Sequence, residues 1–378
     1  MSSVAVAVDL LLMVCITVQE GAQARPPDAT VLRSLPIPTV QAIAQDSSLV
    51  LAWSTDSLHV VKVQFGSRPI DLLSAPLNGA FRDTRVLQLV AEGRALRVRL
   101  SDRQTSFVLE PGSRRATQHV SELRKPEAVR LTHSVVGSTM DGAVLLLPIL
   151  LPATNFGTEV GVVSIGDTHG VSSLDTMRLG RRIVQLRTPT GPSLLYDSPL
   201  RVLHDVSTKV ALSRAASSLA VVDAQLSQPA TMNLQVRLHR LGRGVRSTSV
   251  RRSLQIPIAR VTQADRSAAL EEAIRTMAGQ FGSTEAARRA LDSVVAVGDP
   301  IPPVQAIRAT DDLVVVEFTA KYSERTRTER FMIVSAHGQC VVPVLAGESI
   351  LAIDRRVLWT RGSDAQGRTY VRPYPVCL

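Results

Sequence analysis

Short alternations of apolar and polar residues recur along the chain. Val61, Val63 and Phe65 stand opposite Lys62 and Gln64. Leu96, Val98 and Leu100 alternate with Arg97 and Arg99, and Leu234, Val236 and Leu238 with Gln235, Arg237 and His239. A period of two with polar residues on one face is the pattern of antiparallel strands. Val144 to Leu147 and Leu313 to Val316 are unbroken apolar runs, as expected of strands buried on both faces.

The strands repeat. Five segments read as strand, glycine turn, strand, with turn glycines at Gly66, Gly112, Gly170, Gly242 and Gly338. Glycine suits the positive φ that tight hairpin turns need. The spacings between these glycines are 46, 58, 72 and 96 residues; the first fits a four-stranded propeller blade and the others predict insertions. A last sheet, Ser349 to Ile353, Arg356 to Arg361 and Thr369 to Val376, lacks its outer strand, and Val31 to Ile37 is placed to supply it. The predicted fold is all-β: a six-bladed β-propeller closed by an N-terminal strand, which leaves no free sheet edge around the ring.

One segment, 262–293, breaks the pattern. Thr262 to Asp265 forms a capping-box-like start, and apolar residues at helical spacing run to Met277. Gly279 and Gly282 are expected to end this helix, and Ser283-Thr284-Glu285 to open a second one reaching about Leu291. About thirty residues is too short for an independent core, so the segment reads as a helical insertion.

At the N-terminus, Val4 to Val18 is mostly apolar, and Ala22-Gln23-Ala24 precedes Arg25-Pro26-Pro27. This reads as a signal peptide over 1–24, with a mature propeller over 25–378, although no basic residue precedes the apolar stretch and Asp9 interrupts it. The expected location is outside the cytoplasm: periplasm, cell surface or medium. The mature chain has no apolar run of the roughly 18 to 20 residues that span a membrane. Cleavage would remove Cys15 and leave Cys340 and Cys377, an even pair in an oxidising compartment; the sequence leaves open whether they join.

The run Thr262 to Leu291, then Val304 to Glu317, Arg330 to Gly338 and Asp364 to Val376, with the closing Arg368-Thr369-Tyr370-Val371-Arg372-Pro373-Tyr374, resembles uncharacterised exported six-bladed β-propeller proteins of bacteria, within the NHL/TolB-like propellers. The resemblance implies the fold and carries no single activity. The chain departs from it in having only 3% aromatic residues, so its blades must pack on Val, Leu and Ile.

Charge narrows the partners. The net charge is +10, and of 43 basic residues only Lys62, Lys125, Lys209 and Lys321 are lysine. Between Asp223 and Asp265 there is no acidic residue, while Arg237, Arg240, Arg243, Arg246, Arg251, Arg252 and Arg260 all lie there. The functional reading of the first six is a face for an anionic polymer or envelope surface. The preferred reading is an outer strand blunted by charge against edge-to-edge pairing. Nucleic acid is the least favoured ligand, because the stretch lacks aromatic residues on which bases could stack.

Catalytic signatures are weak. Gly166-Asp167-Thr168-His169-Gly170 looks like the metal-binding start of a metallophosphatase, but no partner motif follows and the same residues fit the third hairpin turn. The seven histidines show no ligand spacing, there is no G-x-S-x-G, and no phosphate loop or dinucleotide fingerprint occurs. The expected function is a binding or interaction module. The alternative is a metal-dependent, lactonase-like hydrolase with its site at the mouth of the propeller channel; Asp46, Glu317 and Asp354 are the carboxylates to inspect for it. The sequence names neither cofactor nor ligand.

Overall fold

A computed structural model describes residues 29–31, 40–45, 47–77, 84–101, 105–113, 115–120, 133–139, 143–148, 157–167, 170–181, 183–186, 194–197, 208–213, 215–228, 231–241, 246–292, 297–319, 331–342, 344–345 and 347–377. The segment read as a signal peptide, and also Asp46, His169, Gly242 and Arg243, lie outside the described residues.

The strands form six four-stranded sheets. The N-terminal strand is β1 (Thr30–Val31). Blade 1 is β2 (Gln41–Gln45), β3 (Ser48–Ser54), β4 (Ser57–Gln64) and β5 (Ile70–Pro76). Blade 2 is β6 (Val86–Glu92), β7 (Ala95–Leu100), β8 (Thr105–Leu109) and β9 (Ala116–Val120). Blade 3 is β10 (His133–Ser138), β11 (Val144–Pro148), β12 (Gly157–Asp167) and β13 (Gly170–Arg181). The hairpin β14 (Ile183–Leu186) and β15 (Leu194–Asp197) follows, an insertion that the alternation pattern did not single out. Blade 4 is β16 (Lys209–Leu212), β17 (Ser218–Gln228), β18 (Thr231–Leu241) and β19 (Arg246–Pro257). After the helices come blade 5, β20 (Val304–Ala309), β21 (Leu313–Phe318), β22 (Phe331–Ser335) and β23 (Gln339–Val342), and then β24 (Ser349–Ile353), β25 (Val357–Ser363) and β26 (Thr369–Pro375).

Blade 6 is composite. Its order is β1-β26-β25-β24, with Thr30 opposite Val371 and Val31 opposite Tyr370. The N-terminal strand thus closes the ring as expected. It starts one residue earlier, and residues 32–37 of the expected strand lie outside the described ones.

The five hairpins form the outer strand pairs of blades 1 to 5, but their turns differ. Gly66 and Gly112 adopt φ of 70° and 76°, the left-handed region that glycine enters without strain. Gly338 does not. Its turn is held by Ser335, whose Oγ accepts the His337 and Gly338 N–H groups, each at 3.1 Å.

Burial follows from the ring. Each sheet packs both faces on neighbouring sheets, so successive residues of one strand enter two different cores. In β21, Val314 and Val316 join Val236, Leu238 and Val334 between blades 4 and 5, while Leu313 and Val315 join Ile353 and Leu358 between blades 5 and 6. The apolar run of β21 is therefore buried from end to end. Among the described residues the largest fully buried side chains are Trp359, Phe331 and a set of leucines, in keeping with the low aromatic content.

Helix α1 (Gln263–Phe281) starts at the Thr262 cap, whose Oγ1 accepts Asp265 N–H at 3.2 Å while Asp265 Oδ2 accepts Thr262 N–H at 2.9 Å. It runs through Gly279 and stops at Gly282 (φ 73°). Phe281 is the reason: it is 3% exposed and packs with Leu270, Ile274 and Leu291. The burial of a phenyl ring outweighs the roughly 1 kcal/mol helix penalty of an interior glycine. Helix α2 (Thr284–Leu291) starts at Ser283 as expected.

Candidate functional site

The inner strands β2, β6, β10, β16, β20 and β24 bring the six sheets around a central channel. Contacts run from β24 to β2, β2 to β6, β6 to β10, and from β16 through β20 to β24. The channel holds a cavity of about 470 Å³, within the range of small-molecule sites. Its wall is mostly aliphatic, with Ala42, Leu87, Val210, Ala211 and Leu351 among the lining residues, and Gln41, Gln88 and Ser213 as uncharged polar ones.

Arg308, near the end of β20, is the charged residue among the described ones of that lining. Its side chain is open to the cavity although protein surrounds it. Its Nε donates to the Leu351 carbonyl across the seam to blade 6 at 3.0 Å, and Nη1 donates to its own neighbour's carbonyl, Ile307, at 2.8 Å. These two bonds fix the plane of the guanidinium. Burial lowers the Arg308 pKa from its ordinary value, Glu317 opposes that and Arg361 adds to it. The strand pattern alone did not single out Arg308. Two facts were needed: that β20 is innermost, and that blade 6 supplies a carbonyl for its Nε.

Of the three carboxylates named from the sequence, the two described ones, Glu317 and Asp354, serve the scaffold. Glu317, 1% exposed on β21, accepts Ile350 N–H through Oε2 at 3.3 Å, joining blades 5 and 6. Asp354 caps the β24–β25 turn: its Oδ1 accepts Arg356 and Val357 N–H at 2.7 and 2.8 Å, and its Oδ2 accepts Ser47 N–H of blade 1 at 3.2 Å. Among the described residues no group of His, Cys, Asp and Glu side chains is placed to hold a metal ion.

The arginines of β18 and β19 divide between the two faces of blade 4. Arg237 turns to blade 3, where its Nε meets Asp175 Oδ2 at 2.7 Å. Arg252 turns to blade 5 and donates to the carbonyls of Ser335 (3.3 Å) and Ala336 (2.5 Å). Arg240 and Arg251 are exposed, and Arg240 lines a cavity of about 570 Å³ beside Asp311, His337 and Arg355. Arg246 starts β19, and its side chain, like all of Arg243, lies outside the described residues.

The blade 3–4 seam holds a grouping that spacing could not reveal. His239 Nε2 lies 2.7 Å from the same Asp175 Oδ2, Thr248 Oγ1 lies 3.3 Å from His239 Nδ1, and Thr176 N–H donates to Asp175 Oδ1 at 2.7 Å. Burial raises the Asp175 pKa, but His239, Arg237 and the Thr176 N–H outweigh it and hold the carboxyl at about 2. At the chain's end the two cysteines left open by the sequence are joined: Cys340 of β23 bridges Cys377, with Cα atoms 6.0 Å apart. No helix among the described residues is long and apolar enough to cross a membrane.

No family model and no curated protein matches the chain. Solved β-propellers do. The chain is similar to the β-propeller domain of Cps50 (Swd1) from Myceliophteria thermophila, at 11% identity and a TM-score of 0.35, covering 92% of this chain and 99% of that one. It is similar to the β-propeller domain of the Trilobed protease from Pyrococcus furiosus, described as having an open velcro topology, at 8% identity and a TM-score of 0.32, covering 92% and 95%. A third is the Nup133 β-propeller domain of Vanderwaltozyma polyspora, at 9% identity and a TM-score of 0.28, covering 91% and 97%.

Proposed function

We propose that this propeller is an exported binding module of the NHL/TolB-like kind, made by a bacterium, and that it takes its ligand in the central channel. The cavity of about 470 Å³ enclosed by the inner strands is the observation that carries the reading. Rigid strands form its wall, so little ordering entropy opposes binding there. The Cys340–Cys377 bridge supports export, since such bridges persist in oxidising compartments. The described carboxylates Glu317 and Asp354 are taken up by backbone N–H groups, which favours binding over the metal-dependent hydrolase. The exposed Arg240 and Arg251, with the +10 net charge, favour an anionic polymer or envelope surface as a second partner outside the channel.

The test is a thermal-shift screen of small metabolites on the mature chain and on Ala42→Trp, which fills the channel from β2. A ligand that binds only the folded state raises Tm. The expected result is a compound that raises Tm of the parent saturably and leaves the variant unmoved. Compounds that shift both proteins alike, or a screen with no shift at all, would overturn the channel reading.

A further inference from the structure

Resting on that channel reading, we propose its ligand class: a small organic monocarboxylate with an aliphatic body, its carboxylate seated on Arg308.

The charge arithmetic of the cavity is simple. Among the described residues its lining holds one cationic side chain and no Asp or Glu. A wholly neutral ligand would bring no counter-charge to that guanidinium from the cavity side. A dianion such as a phosphate monoester would bring more charge than one arginine answers. A monoanion balances it.

The geometry then favours a carboxylate. The Arg308 guanidinium has five N–H groups, and two bonds to carbonyls, at Leu351 and Ile307, use Nε and one hydrogen of Nη1. One hydrogen of Nη1 and both of Nη2 remain at the Nη edge as donors for the oxygens of a planar carboxylate. The two carbonyl bonds hold that edge in place before any ligand arrives, which lowers the ordering cost of binding. Glu317 sits behind Arg308 on the neighbouring strand, where Ala306 and Glu317 pair across β20 and β21, and Arg361 lies close enough to be felt electrostatically. Two arginines around one buried carboxylate leave a net positive charge at the wall. The rest of the lining is Ala, Val, Leu and Ile, together with Gln41, Gln88 and Ser213, so the body of the ligand meets aliphatic side chains and a few neutral polar groups.

Two matched pairs test this on the mature chain by calorimetry and thermal shift: N-acetyl-leucine against N-acetyl-leucinamide, and octanoate against octanol. Within each pair shape is nearly constant and charge differs. The expected result is saturable binding of at least one carboxylate, with its neutral partner weaker by about tenfold or more, the usual worth of a charge-assisted hydrogen bond. Arg308→Met should abolish the difference. Because Arg308→Met leaves Glu317 without its neighbour, Arg308→Met with Glu317→Gln removes both charges together and must give the same loss. Arg308→Lys should keep the preference for the anion while weakening it. If neutral and charged members bind the channel equally, or if Arg308→Met binds the acids as the parent does, the Arg308 assignment falls while the channel reading stands. If none of the four probes binds while the screen with Ala42→Trp still finds a channel ligand, the carboxylate class falls alone. If that screen also finds none, both fall.

Discussion

Blades 5 and 6 are joined by a covalent bridge and buried charge, whereas the described residues of blades 3 and 4 meet in an apolar cluster of Leu145, Val163, Met177, Leu219 and Val221 and at the half-buried carboxylate of Asp175. At the first seam Cys340 is bonded to Cys377, Glu317 accepts the Ile350 N–H, and Arg308 donates to the Leu351 carbonyl. Just behind it Glu348, fully buried, gathers three residues of blade 6: Thr360 Oγ1 donates to its Oε2 at 2.6 Å, Tyr374 OH donates to the same oxygen at 2.9 Å, and Arg372 Nε stands 3.0 Å from Oε1. Burial, with the Glu348 charge, pushes the Tyr374 phenol up, so it stays a donor at any ordinary pH. At the second seam Asp175 takes both Arg237 and His239, with side chains 11% to 15% exposed. A ring must be closed somewhere, and the closure of this one rests on a strand of two described residues. The chain concentrates covalent and buried polar bonds beside that weak point, and among the described residues it holds the mid-chain seam with an apolar cluster and the Asp175 carboxylate.

The sharpest way to break the contrast is at the bridge. It closes a loop with a sequence separation of 37. Loss of the loop-closure constraint predicts about 4 kcal/mol of destabilisation in Cys340→Ala with Cys377→Ala. Urea denaturation with and without reductant measures it; a parent that reductant leaves unmoved would mean the bridge holds nothing. Next in size is Glu348→Ala, which takes the buried carboxylate away from Arg372, Thr360 and Tyr374. Breaking such a pair costs about 3 kcal/mol or more. Glu348→Gln, which keeps an acceptor for Thr360 and Tyr374, should recover part of that loss in the same measurement.

These two predictions also mark what the sequence made legible. The strands, the turns, the composite blade and both helices follow from local rules: period two, glycine or serine at turns, caps at helix starts. Even the extra length of α1 past Gly279 has a local cue in Phe281. What joins one blade to the next does not. Asp175 and His239 are 64 residues apart, and Ser47 and Asp354 are 307 apart. Whether they meet depends on how neighbouring sheets tilt and which strand is innermost, and no periodicity carries that. Arg308 belongs to this second kind. Its neighbours Ile307 and Ala309 are buried, so the local pattern places it merely on the more open side of a strand. Only the ring turns that side toward a channel.

The second seam should respond to acid. The Asp175 carboxyl titrates at about 2 in the fold against an ordinary 3.8. A folded value below the unfolded one means stability that is present above pH 4 and lost as pH falls from about 4 toward 2. Discounted for partial exposure, the contribution is about 1 to 2 kcal/mol. Asp175→Asn should therefore cost about that much at pH 7 and flatten the fall in urea midpoint between pH 4 and 2. An acid limb unchanged by the substitution would place the acid-sensitive bond elsewhere.

The smallest effect is the most discriminating. Arg237 and Arg251 are directly paired across β18 and β19, so the two side chains lie on the same face of blade 4. Arg237 ends on Asp175, while Arg251 is exposed on the outer strand. If charge at this seam matters only where a carboxylate answers it, Arg251→Gln removes a like-charge neighbour and nothing else. Stability should then change by less than about 0.5 kcal/mol, and toward greater stability. Arg237→Gln should cost more, and its loss should shrink as acid protonates Asp175, because the partner is then already neutral. Urea midpoints of the two variants at pH 7 and pH 1.5 make the comparison. A larger loss from Arg251→Gln than from Arg237→Gln would mean that the outer arginines hold the blade itself, and the seam would no longer be explained by Asp175.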